Sequence, residues 1–165
     1  MIHLQILPEC NADTLLLEML GFFPSHQNGI GQVMNTLVKN FKNRPAVGII
    51  DNDKKKPTAF GEFELNDEKA NIQRRYKPDS KHALLVINPA FEDWVFENAN
   101  AVGIDPINYG FNTPKYFRQM CKKENAAKNP QLKQFLNTLK QKQAPGFVQL
   151  KTWICEGAGI DEEDL

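Results

Sequence analysis

Two compact aliphatic runs, Ala46-Val-Gly-Ile-Ile50 and Ala83-Leu-Leu-Val-Ile87, constrain the fold of this chain more than any other feature. Runs of this kind are typical of strands buried on both faces, and such strands need helices on either side of their sheet. The intervening sequence supplies them. Residues 2–8 read as a first buried strand, and Asn11 or Asp13 then opens an apolar helix, Thr14 to Phe23, stopped at Pro24. From Val33 to Phe41 the apolar positions Val33, Met34, Leu37, Val38 and Phe41 recur with a helical period, and Pro45 ends that element. The expectation is an α/β fold, a mainly parallel sheet flanked by helices, with the three buried strands in one sheet and parallel in sense.

Thr58 to Leu65 reads as a further strand, and the polar stretch Asn66 to Lys81 as a surface excursion. After Ile87, Asn88 reads as a helix cap and Pro89 as the first helical residue, with Phe91, Trp94 and Val95 on one face. Two more helices are expected over Thr113 to Lys123 and Pro130 to Lys142, and a late strand over Phe147 to Cys155. No repeat or linker is visible, so residues 1–165 are read as a single domain. Its core covers about 1–101, with a basic helical extension over about 112–156 and an acidic tail, 157–165.

Composition excludes several function classes. With 41% hydrophobic and 24% charged residues the chain is neither a disordered nor a membrane protein by composition. No apolar run approaches the roughly 18 residues of a membrane span. The N-terminal residues lack a basic leader and cleavage site, which predicts a cytoplasmic protein. Cys10, Cys121 and Cys155 are too widely spaced for a disulfide framework or a zinc knuckle, and His3, His26 and His82 are each isolated in sequence. Net charge is zero but uneven: between Asn112 and Gln143 Glu124 is the only acid, against Lys115, Arg118, Lys122, Lys123, Lys128, Lys133, Lys140 and Lys142. Such a segment fits a phosphate backbone, or else a solvated lysine-rich face.

Acids stand where the strands end. Glu9 follows the first, Asp51-Asn52-Asp53 the second, and Glu92 comes just past the third. In parallel sheets functional groups gather outside the carboxyl ends of strands. Side chains two apart on a strand share a face, so Asp51 and Asp53 are expected to point together. Glu9, Asp51 and Asp53 are therefore candidate ligands for a hard dication such as Mg2+ or Mn2+, which prefers oxygen donors. Each acid also has a reading as a cap or turn residue, and Glu92 as a complement to a helix dipole.

Glu9 followed by Asp13 and a leucine-rich helix resembles the opening glutamate motif of Toprim domains, the catalytic fold of topoisomerases, primases and OLD-type nucleases. Asp51-Asn52-Asp53 is similar to their Asp-x-Asp motif, and Asn88-Pro-Ala-Phe-Glu-Asp-Trp94 to the Asn-Pro-Cys-Phe-Glu-Leu-Trp signature of the RloB-like branch. In the family a glycine follows the glutamate, where this chain has Cys10. The resemblance covers about the first 100 residues and implies a small stand-alone Toprim-like, Rossmann-like protein, with a role in defence against foreign nucleic acid by analogy.

The resemblance implies Mg-dependent phosphoryl transfer on nucleic acid, most simply nuclease-type cleavage, with Glu9, Asp51, Asp53 and Glu92 as catalytic residues. Lys54, Lys55, Lys56, Lys122, Lys123 and Lys133 are the candidate nucleic-acid contacts. The alternatives are a nucleic-acid-binding module without turnover, for which Cys10 is the supporting feature, and a protein-interaction module whose acidic tail meets a basic partner.

Overall fold

The computed structural model describes residues 1–165. In chain order the elements are β1 (Ile6–Pro8), α1 (Asn11–Met19), α2 (Ile30–Thr36), β2 (Ala46–Asp51), β3 (Glu64–Lys69), β4 (Ile72–Tyr76) and β5 (His82–Ile87). They are followed by α3 (Phe91–Ala101), α4 (Pro114–Cys121), α5 (Pro130–Gln141) and α6 (Pro145–Ala158). The five strands form one sheet in the order β1-β2-β5-β4-β3. β1, β2 and β5 are parallel neighbours, with Leu7 opposite Gly48 and Gly48 opposite Leu84. β4 and β3 extend the sheet antiparallel. The architecture is thus an α/β fold with a mixed, mostly parallel open sheet and helices on both sides.

Strand alternation divides the interior in two. Val47, Ile49, Ala83, Leu85 and Ile87 face the larger core, where α1, α3, α4, α5 and α6 bring Leu16, Trp94, Phe117, Phe135 and Ile154. Ala46, Ile50, Leu84 and Val86 face the smaller one, closed by Ile30, Val33, Met34 and Leu37. Here α2 lies so close that a Cβ on Gly48 would come within 2.6 Å of Val33 Cγ1 and 2.8 Å of Leu84 Cδ2. Gly48 therefore sets the distance between helix and sheet. In the larger core Trp94 is fully buried, stacks on Phe147 at 5.4 Å and donates its Nε1–H to the Ala70 carbonyl at 2.9 Å. It ties α3 to α6 and to the β3–β4 turn, and truncation to alanine should cost about 3–5 kcal/mol.

Several local expectations are corrected. Phe147 to Cys155 is part of α6, not a strand. Pro145 occupies its first turn, and Phe147, Leu150, Ile154 and Ala158 form a buried stripe at helical spacing. Thr58–Glu62 is a 3₁₀ turn, and the strand starts only at Glu64. The polar stretch after it is a hairpin rather than a loop: Lys69 pairs with Ile72 across Ala70 and Asn71, whose φ values of 50° and 56° suit a two-residue turn. Its polarity comes from an exposed outer strand, while on β4 Ile72 is buried and Arg74 lies 4.7 Å over the Trp153 ring.

The end of the first helix and the start of the third also shift. α1 begins at Asn11 with Cys10 as its cap, and it ends at Met19 because Leu20 closes it and Gly21 takes a φ of 102°. α3 begins at Phe91 with Ala90 as N-cap, so Pro89 is outside the helix. The Asn88 side chain does not cap; its Oδ1 accepts from Asn52 Nδ2 at 3.1 Å.

Candidate metal centre

Glu9 is the first residue past β1, and its backbone is held from both sides. Its N–H donates to the Ile49 carbonyl at 3.2 Å, and its own carbonyl accepts from Gly29 at 3.1 Å. The loop before α2 continues this pairing, Gln27 N–H donating to the Pro8 carbonyl at 2.9 Å. The side chain thus enters the sheet's carboxyl edge from a fixed backbone. Cys10 has φ −139° and ψ 171°, ordinary extended backbone, so the position makes no demand for glycine. Its Sγ accepts from the Asp13 N–H at 3.5 Å, capping the helix.

Asp51 is the last residue of β2 and lies on the same face as Val47 and Ile49, toward α1 and α3. The chain bends after it, so the two-residue alternation stops there and Asp53 is exposed. The acid that joins Glu9 and Asp51 in the interior is Asp13, one helical turn beyond Glu9 in α1. One ligand oxygen from each of the three lies within 4.8 Å of the others. Glu9 and Asp51 line a cavity of about 250 Å³ whose wall also includes Asp53 and Glu92, which do not belong to that cluster, while Asp13 is buried away from the cavity wall.

The cluster is buried. Glu9, Asp13 and Asp51 are 3%, 2% and 4% exposed. Some of their oxygens serve the fold: Glu9 Oε1 accepts from the Asp51 N–H and from Lys54 Nζ, both at 3.0 Å, and Asp51 Oδ1 accepts from the Phe91 N–H at 3.1 Å. Asp51 therefore caps α3 across the sheet, the duty expected of Asn88. Other oxygens have no partner: Glu9 Oε2 and both Oδ atoms of Asp13.

Burial pushes the Asp13 carboxyl up to about 8, with the neighbouring Cys10 thiol opposing it and Glu9 adding to it. Burial likewise pushes Asp51 up to about 9, reinforced by Asp13 and Glu9 and opposed by Lys54. For Glu92 burial raises the carboxyl, against its own backbone N–H and Arg118. Burial alone would lower the Lys54 ammonium, but its hydrogen bond to Glu9 and the surrounding carboxylates carry it well above the ordinary lysine range. Desolvation is the largest cause for all three carboxyls, and neighbouring carboxylates add to it.

A hard dication fits this donor set. All three ligands offer oxygen, and oxygens on opposite sides of one ion lie ~4.2 Å apart for Mg2+ and ~4.8 Å for Ca2+. The buried Glu9/Asp13/Asp51 cluster can bind a metal ion in these terms.

The basic candidates divide. Lys54 and Lys122 line the cavity, joined by Arg118, which also pairs with Asp93 at 3.3 Å. Lys56 is used by its own loop, donating to the Asn52 carbonyl at 2.7 Å and lying 5.4 Å over the Phe60 ring. Lys55 and Lys123 are exposed elsewhere, and Lys133 lies in a separate groove with Glu18 and Met19. Two residues were not legible as site residues from sequence. Asp13 read as a helix opener and as part of the motif that opens at Glu9, but not as a ligand, although an acid four residues after Glu9 was a usable signal. His26, isolated in sequence, lines the cavity with Nδ1 3.0 Å from the Thr14 hydroxyl. No helix is long and apolar enough to cross a membrane.

No family model, curated protein or solved structure matches this chain.

Proposed function

We propose that the chain is a divalent-cation-dependent phosphoryl-transfer enzyme acting on nucleic acid, with a Toprim-like site and nuclease-type cleavage as its simplest reaction. The observation that carries this is the set of buried, partly unpartnered carboxylate oxygens of Glu9 and Asp13 beside Asp51 at the carboxyl edge of three parallel strands. Glu9, Asp13 and Asp51 would hold Mg2+ or Mn2+, which supplies Lewis-acid polarisation of a phosphoryl oxygen. Lys54, Arg118 and Lys122 on the cavity wall offer cationic groups to the phosphate oxygens. Glu92, half-buried and with its carboxyl raised, stands where it can hold or pass a proton to an attacking water or a leaving oxygen. Asp53, exposed and on the cavity wall, would orient a water in the cavity rather than join the buried cluster.

Purified protein is expected to cleave some nucleic acid in Mg2+ or Mn2+, assayed on single- and double-stranded DNA and RNA. Glu9→Gln removes that activity while thermal unfolding shows a folded protein. Absence of metal-dependent cleavage on all four substrates, with binding intact, sinks the enzymatic reading. A specific observation favours this second reading, a binding module without turnover: Glu9 Oε1 and Asp51 Oδ1 each already serve the fold. Under it, Glu9→Gln loosens the join between β2 and the loop after β1 and changes stability without any activity to lose.

A further inference from the structure

Three consecutive lysines follow Asp53, yet only the first enters the acidic cavity. Lys55 is exposed, and Lys56 is engaged with the backbone carbonyls of Asn52 and Lys54, at 2.7 and 3.2 Å. This pins the loop, so the position of the Lys54 Cα is fixed while its side chain is not. That side chain is 47% exposed, and its one polar contact is Glu9 Oε1 at 3.0 Å. Glu9 is at the same time a member of the candidate ligand set, and Asp13 and Asp51 both feel the Lys54 charge.

An ammonium and a dication therefore compete for the charge of one carboxylate, the ammonium holding Oε1 while Oε2 has no partner. A lysine head is a compact, strongly hydrated charge on a flexible four-carbon stem, able to leave one anion for another without moving the backbone. The half-exposed side chain reaches from the buried Glu9 carboxylate to solvent, in the cavity that Arg118 and Lys122 also line.

We propose that Lys54 is a displaceable counter-ion that stays on Glu9 until a divalent cation neutralises that carboxylate, and is then handed to a phosphate of the substrate. This rests on the metal-dependent phosphoryl-transfer reading above and adds to it an order of events: metal first, phosphate second, each favouring the other. Metal at the carboxylates and phosphate in the cavity each draw Lys54 away from Glu9, which is a coupling between the two ligands carried by one side chain. Lys54 is thereby a substrate-positioning residue, distinct from the structural Lys56 next to it.

The test uses Lys54→Met and Lys54→Gln, with Lys54→Arg as the charge-keeping control and circular dichroism to verify the fold. Calorimetry with Mg2+ alone, at about pH 9 where protons compete least for these carboxylates, reads the first half. Titration of thymidine 5′-monophosphate in saturating Mg2+ reads the second. Lys54→Met and Lys54→Gln should bind Mg2+ about tenfold more tightly than wild type and the nucleotide about tenfold more weakly, with Lys54→Arg near wild type in both. The opposite signs are the signature, since loss of a merely structural lysine weakens both or neither. Wild-type protein that takes up no Mg2+ or Mn2+ overturns the metal reading itself. Wild-type binding with no tightening in the uncharged variants overturns the competition. Tightening with unchanged nucleotide affinity overturns the hand-over to phosphate.

Discussion

Replacing Asp13 by asparagine should flatten the dependence of stability on pH. In the unfolded chain an aspartate ionises near 3.9. In the folded protein burial holds Asp13 protonated up to about 8. Between those values the folded state keeps a proton that the unfolded state gives up. The stabilisation from that proton is complete below about pH 4 and is lost as pH rises toward about 8. Each pH unit in the window costs ~1.36 kcal/mol, so the interval from about pH 5 to about pH 8 bounds the effect of Asp13 at about 4 kcal/mol.

Asp13 and Asp51 titrate together, however, and Lys54 offsets part of their charge, so a realised difference of about 2 kcal/mol is the working figure. Urea unfolding at both pH values in EDTA measures it. Wild type should lose about 2 kcal/mol more than Asp13→Asn across the interval, whatever the two proteins' absolute stabilities. Asp51 remains in the variant and keeps a residual slope in the same direction, up to about pH 9. Identical pH slopes for the two proteins would refute the claim that Asp13 is buried beside like charges. Saturating Mg2+ at about pH 8 should restore stability to wild type and much less to the variant, because a ligand stabilises only the state that binds it.

Charge reversal should separate the basic residues by position. Arg118→Glu or Lys122→Glu should weaken nucleic-acid binding and lower the slope of log affinity on log salt by about one for each phosphate no longer neutralised, whereas Lys133→Glu, in its separate groove, should leave fluorescence-anisotropy titrations unchanged. Gly48→Ala should destabilise by about 1–3 kcal/mol in thermal or urea unfolding, because the new methyl meets Val33 and Leu84 closer than van der Waals separation allows.

The parallel trio is readable because a strand buried on both faces has few alternatives: Ala46–Ile50 and Ala83–Ile87 carry no polar residue that a helix or loop would need. The same pattern brings Glu9 to Asp51, since both fall at strand carboxyl ends. It cannot place Asp53, because alternation holds only while the strand continues, and β2 stops at Asp51. Phe147 to Cys155 alternates over a short window in a way that also satisfies a helical stripe, and the burial of that stripe, with Phe147 stacked on Trp94, decides for the helix. The helix start at Phe91 is hidden for a different reason. Its cap comes from Asp51, forty residues away, and no local motif encodes a partner that only the sheet brings near.

Whether these acids belong to the fold or to a ligand turns on their oxygens one at a time. Glu9 Oε1 and Asp51 Oδ1 have fold partners, and if every oxygen were so placed, the cluster would need no further explanation. Glu9 Oε2 and both oxygens of Asp13 have none. A buried acceptor left without a partner costs about 1–3 kcal/mol, and more if it is charged. An apolar side chain at position 13 would avoid that cost and still fit a helix whose neighbours are Ala12, Leu15, Leu16 and Leu17. Both Asp13 carboxyl oxygens are unpartnered, and the same burial raises its pKa, so the folded state bears a cost that grows as the group ionises. A cation shared with Glu9 and Asp51 would remove that cost, by ligating the free oxygens and neutralising the charge that burial opposes. That is the physical case for treating Asp13, rather than the more exposed Asp53, as the residue whose mutation most directly tests the centre.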